Sequence, residues 1–139
     1  MSIKNLKTNE TTQMWKDGGA DYGKEWNYGA FGFYFADPYI VVVSAVSGGS
    51  PGSIGVDDII FKESQYCSVQ PPQADAGGSL PLPELTTKTP TSTPTPSIYD
   101  CSFENDFCNW KNDYSRPLNW TRNQGSTLSG DSGPSIDHT

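Results

Sequence analysis

Basic side chains are scarce in this sequence, and long apolar runs are missing. Nine Lys and Arg stand against sixteen Asp and Glu, which gives a formal net charge of −7. Because phosphates and anionic membrane surfaces attract basic clusters, this charge disfavours both as partners. The longest apolar stretch, near 39–46, has the length of a strand and predicts no membrane span. Residues 1–15 show no apolar signal sequence.

Signatures of catalysis are also missing. His138 is the single histidine, and the sequence has no phosphate-binding loop, HExxH motif or zinc-ligand spacing. Ser135, Asp137 and His138 are sequence neighbours, without the nucleophile elbow or oxyanion-hole signature of a Ser–His–Asp site. The sequence therefore predicts a protein that is not an enzyme.

The patterns that are present indicate β-structure. Helical periodicity is unconvincing throughout, whereas alternating, β-branched and aromatic runs predict strands over 3–7, 12–16, 31–35, 39–46 and 54–61. The hydrophobic fraction of 34%, with 14 Gly and 11 Pro, argues against one continuous core. We expect short all-β pieces connected by loops.

A change of composition divides the chain. Residues 68–99 have almost nothing to bury, and within 86–97 eleven of twelve residues are Ser, Thr or Pro. Such a segment is expected to be an extended linker that is suited to O-glycosylation. Two N-glycosylation signals, at Asn9 and Asn119, also favour an extracellular protein.

The piece after the linker, 100–139, resembles the opening of a MAM domain, the extracellular module of meprins, neuropilins and some receptor tyrosine phosphatases. That family opens with Cys-x-Phe-Glu and Cys-x-Trp, and continues through Trp-x-Arg and Gly-Pro to Asp-His-Thr. The matching residues here are Cys101, Phe103, Glu104, Cys108, Trp110, Trp120, Arg122, Gly133, Pro134, Asp137, His138 and Thr139.

The piece before the linker, 1–67, is similar to the closing third of the same module. Trp15, Trp26, Ile54, Asp57, Asp58, Ile59 and Cys67 fit the family's two tryptophans, Asp-Asp-Ile strand and last cysteine. The resemblance implies pieces of a two-sheet jelly-roll β-sandwich, which end one module and begin the next. Pairing of the first piece's end with the second piece's start is less favoured, since both would still lack the central strands.

The resemblance also assigns the cysteines. The family pairs its first two, which implies a Cys101–Cys108 disulfide, and leaves Cys67 unpaired because its usual partner lies in the missing middle. Three reduced thiols of a cytosolic protein are the alternative.

The same resemblance implies a possible cation site. Some MAM-like sandwiches hold a cation near the Glu of Cys-x-Phe-Glu and the acids of the other two motifs. The candidates here are Glu104, Asp137 and either Asp57 or Asp58, whose oxygen atoms suit calcium. Adjacent strand residues face opposite sides, so one of Asp57 and Asp58 also needs a partner of its own. Ordinary hydrogen-bonded acids are the alternative, and no other cofactor is expected.

The expected function is that of a non-catalytic, extracellular adhesion or interaction module of a multi-MAM cell-surface or matrix protein. Its partners would be other extracellular or cell-surface proteins, including copies of itself. One alternative is an assembly segment of a larger secreted or membrane enzyme, as in meprins. Another is a carbohydrate-binding matrix module, in which some aromatic side chains form a platform beside the acids rather than a core.

Overall fold

The structure is a computed structural model that describes residues 1–18, 25–46, 53–62, 67–77, 96–126, 134 and 136–138. Contacts divide the chain into two compact units. The first unit comprises Met1–Tyr22, Asn27–Val46 and Ser64–Pro90, and the second comprises Gly23–Trp26, Ser47–Glu63 and Thr91–Thr139. Each unit thus combines distant segments, whereas the sequence-based division follows the order of the chain.

The first unit contains a three-stranded antiparallel sheet. Its strands are β1 (Ser2–Asn5), β2 (Thr11–Gln13) and β3 (Tyr39–Val42), in the order β2-β1-β3. Ile3 of the central strand lies opposite Thr12 on one side and Val41 on the other. The all-β expectation is confirmed at this level, with strands shorter than the sequence pattern predicts.

The core of this unit is small. Ile3 is fully buried, Met14 is 3% exposed, and Ala74 is fully buried. Ala74 belongs to a short 3-10 helix, Pro72–Ala74, whose Ala74 carbonyl accepts a hydrogen bond from the Lys16 amide at 2.9 Å. Part of the predicted linker is therefore structured and bonds the segment that follows β2, where Trp15 and Asp75 also form an antiparallel bridge. Residues 78–95 of that linker lie outside the described residues.

The predicted strand at 31–35 is not formed. Instead, the rings of Phe33, Phe35 and Tyr39 all contact one another and Phe31 stacks on Phe33, with ring centroids 5.4–6.4 Å apart. Before this segment, Ala30 and Gln70 form an isolated bridge and exchange main-chain hydrogen bonds of 2.9 and 2.8 Å. Contacts between aromatic rings thus order residues 31–35, for which no partner strand is present among the described residues.

In the second unit, the predicted strand at 54–61 is reduced to a single antiparallel pair. The amide and carbonyl of Ile59 exchange hydrogen bonds of 2.9 Å each with those of Cys101. Asp58 has a φ of 47°, a left-handed conformation that interrupts an extended strand. Two residues after Ile59, the Phe61 amide donates to the Asp100 carboxylate at 2.7 Å rather than to a main-chain carbonyl. The end of the first sequence piece therefore does pair with the start of the second.

Helical structure is confined to that 3-10 helix in the part of the chain that the structure describes. None of the helices found there has the length and apolar character needed to cross a membrane.

Candidate functional site

A disulfide closes a short loop at the start of the 96–126 segment. Cys101 and Cys108 are bonded across seven positions, with Cα atoms 5.9 Å apart. This confirms the disulfide implied by the family resemblance. The Cys108 amide also donates to the Asp106 carboxylate at 2.7 Å, which fixes the end of the loop. Cys67 remains a thiol in the first unit.

Three carboxylates from three sequence motifs converge beside this loop. Asp57, Glu104 and Asp137 each offer an oxygen atom, and these atoms lie within 4.8 Å of one another. All three side chains are half-buried. The structure thus brings together the candidate ligands Glu104 and Asp137 with Asp57, whereas Asp58 points to a different partner.

The electrostatic environment of Asp57 is unfavourable for a lone carboxylate. Burial is the largest cause and raises the pKa of Asp57, the hydrogen bond from the Asp58 amide comes next and lowers it, and the charges of Asp58, Asp137 and Glu104 raise it further. That amide donates to the Asp57 carboxylate at 2.9 Å. Like charges gathered in a partly dry site favour either a proton or a cation.

Asp58 binds the single histidine of the chain. The Nδ1 atom of His138 lies 2.7 Å from a carboxylate oxygen of Asp58. Sequence reasoning anticipated a partner for one of the two adjacent acids, but did not identify His138. Because Asp57 neighbours Asp58 and Asp137 neighbours His138, this contact also holds the two cluster carboxylates close together.

Trp26 contacts both of these segments, near Gly55 and at residues 136–138. Its indole N–H donates to the Ile136 carbonyl at 3.1 Å, and its ring meets His138 edge-on with centroids 5.9 Å apart. The ring also covers Gly55, where an added Cβ would lie 3.1 Å from the indole. A side chain at position 55 would therefore require the indole ring to move by a few tenths of an ångström.

The cluster opens into a groove of about 640 Å³ within the second unit. Trp26 and Trp120 line it, together with polar side chains that include Asn119, Arg122 and Gln124. The side chain of Asn112 bonds the Trp120 main chain in both directions, at 3.0 and 2.9 Å, and so fixes this wall. Indole surface beside carboxylates and amides can accommodate a polar ligand.

The carboxylate cluster fits a hard cation. Calcium takes about six to eight oxygen ligands, and carboxylates can supply two each, with carbonyl groups or water completing the set. Asp57, Glu104 and Asp137 would hold such an ion and would balance its charge. The ion would remove their mutual repulsion and cross-link three segments of the unit.

The two candidate glycosylation sites lie in different units, Asn9 in the first and Asn119 in the second. Asn9 is exposed in the β1–β2 turn, in a left-handed conformation with a φ of 63°. Asn119 is exposed at the groove. Of the residues considered for catalysis, Ser135 lies outside the described residues.

Reasoning from the sequence missed two side chains that hold the main chain of the second unit in place. Asp100 bonds the amides of Phe61 and Ser97 at 2.7 and 2.9 Å, and Arg122 bonds the carbonyl of Glu104 at 2.6 Å. Arg122 belongs to the Trp-x-Arg motif, which was the available signal. No protein-family model matches this sequence and no solved structure matches the chain, so the similarity to MAM domains rests on the motif residues.

Proposed function

We propose that this chain is a non-catalytic, extracellular interaction module of the MAM type, part of a cell-surface or matrix protein that carries several such modules. The observation that carries the proposal is the convergence of Asp57, Glu104 and Asp137, which come from three separate motifs of the resemblance. The disulfide across Cys101 and Cys108 supports an oxidising compartment.

The proposed mechanism is surface contact, with a cation stabilising the module. Calcium at the carboxylate cluster would tie the loop at 101–108 to the segments that carry Asp57 and Asp137. Adhesion would then depend on extracellular calcium because the contact surface keeps its shape only in the bound form.

Bead aggregation tests this function. The full chain is produced through a secretory pathway, its glycans at Asn9 and Asn119 are identified by mass spectrometry, and it is coupled to beads. We expect beads to bind one another or cell surfaces in calcium, and to disperse in EDTA. Glu104→Gln should abolish binding, whereas Glu10→Gln, which removes the same charge from an exposed turn, should not. Equal binding in EDTA, or none in calcium, would contradict the proposal.

Carbohydrate binding is the second candidate. Trp26 and Trp120 line the groove that contains the cluster carboxylates, and indole rings stack on sugar faces. Binding of the chain to a glycan array, lost on Trp120→Ala, would favour this candidate over protein adhesion.

A further inference from the structure

The guanidinium of Arg122 lies against the backbone of the carboxylate cluster. Its Nη1 atom donates to two main-chain carbonyl oxygens, that of Glu104 at 2.6 Å and that of Phe103 at 3.3 Å. Both hydrogen bonds fix the main chain of the loop at 101–108. The contact is long-range, because Arg122 lies eighteen residues after Glu104.

This loop needs such support at its middle. Its first residue, Cys101, is held by the pair with Ile59, and its last, Cys108, by the disulfide and by Asp106. Between them, Phe103 has a φ of 59°, a left-handed conformation that is sterically unfavourable for a residue with a side chain. Arg122 contacts the carbonyl of this strained residue and that of the next one, Glu104.

We propose that Arg122 is a positioning residue that sets the cation affinity of the carboxylate cluster by fixing the backbone of Glu104. This inference rests on the proposed cation site. In metal sites, residues that orient a ligand without touching the metal commonly change affinity by about 10- to 100-fold when they are mutated. Arg is suited to this role because its guanidinium carries several rigidly held N–H donors, and here the Nη1 group alone reaches both carbonyl oxygens.

A positioning role and a purely electrostatic role of Arg122 predict opposite changes in cation affinity when this residue is removed. A positive charge beside a cation site repels the cation, so removing Arg122 would tighten binding if charge alone mattered. Removing a positioning contact would weaken binding instead. Arg116 provides the matched control because it lies in the same unit and pairs with Asp113 at 3.7 Å on an exposed surface.

The test is a titration of the full chain with Ca²⁺, and with Tb³⁺ as a luminescent probe. We expect Arg122→Gln to weaken binding about tenfold or more, Arg122→Lys to recover part of the loss, and Arg116→Gln to leave binding unchanged or slightly tighter. Thermal unfolding is recorded for each variant, so that affinity is compared among folded proteins. If Arg122→Gln does not fold, the cation affinity of Arg122→Lys is compared with that of the wild type, and a weaker affinity in the variant supports the inference.

Two results would overturn the inference, and they are distinguishable. Wild-type affinity, or tighter binding, in the folded Arg122 variants would show that Arg122 does not position the cluster, while the cation site stands. A folded wild-type chain that binds neither ion would remove the cation site itself, and the role of Arg122 with it.

Discussion

The adjacent residues Asp57 and Asp58 make different contacts. Asp57 joins the carboxylate cluster, whereas Asp58 turns into a left-handed conformation and binds His138 at 2.7 Å. Asp and Asn tolerate that conformation better than other side chains do, which explains why an acid can stand at this point of a β-rich segment. Alternation along a strand suggested separate partners, but the separation arises from a break in the strand.

Asp57→Asn should stabilise the chain at pH 7 when EDTA removes divalent cations. The raised pKa of Asp57 means that the folded state binds a proton more tightly than the unfolded state does. Its ionisation therefore opposes folding increasingly as pH rises from the ordinary Asp pKa of 3.8 through the raised value. Urea unfolding should show a higher midpoint for the variant, and its advantage should shrink as pH falls through this window.

Glu10→Gln is the charge control for that comparison, because Glu10 lies in an exposed turn. An equal midpoint shift in both variants would mean that net charge, and not the cluster, determines the effect. A less stable Asp57→Asn protein in EDTA would contradict the view that these carboxylates repel one another.

The elements of the fold show how far the sequence predicts structure. Local alternation correctly located β1, β2 and β3, since pairing across the short β1–β2 turn needs little chain closure. Residues 31–35 and 54–61 have the composition that is typical of strands, but they form no regular β-ladder among the described residues. Strand composition does not supply a partner, and the partner of Ile59 is Cys101, beyond the linker.

The sequence predicted the cysteines and carboxylates of the candidate site, but not the side chains that hold them in place. The family resemblance indicated Cys101, Cys108, Glu104 and Asp137, and left the choice between Asp57 and Asp58 open. The roles of His138, Trp26 and Arg122 depend on contacts across 80, 110 and 18 residues, which no local pattern reveals.

The disulfide should stabilise the second unit measurably. The double variant Cys101→Ser/Cys108→Ser should lower the free energy of unfolding by about 2–3 kcal/mol on the chain-entropy estimate for a short loop. Denaturant unfolding under non-reducing conditions measures this difference. Cys67→Ser provides the control, because Cys67 is not disulfide-bonded. An unchanged free energy in the double variant would mean that the hydrogen bonds of Asp106 and Arg122 hold the loop without the covalent link.

At the scale of the whole molecule, burial is sparse in each unit. Cys101, which is 5% exposed, is the buried apolar residue of the second unit among the described residues. Ile54, Ile60 and Ile136 of that unit remain 52%, 65% and 69% exposed. Little apolar side-chain surface is therefore buried among the described residues of this unit. With so little core, a cation that links three segments would contribute a large share of the stability.

Calcium-dependent thermal unfolding of the full chain therefore tests the central claim most directly. If Asp57, Glu104 and Asp137 form a cation site in the folded protein, the unfolding temperature should rise steadily with the logarithm of calcium concentration above the dissociation constant. Glu104→Gln should remove that rise, whereas Glu10→Gln should keep it. An unfolding temperature that is the same in calcium and in EDTA, for a chain that unfolds cooperatively, would contradict the account.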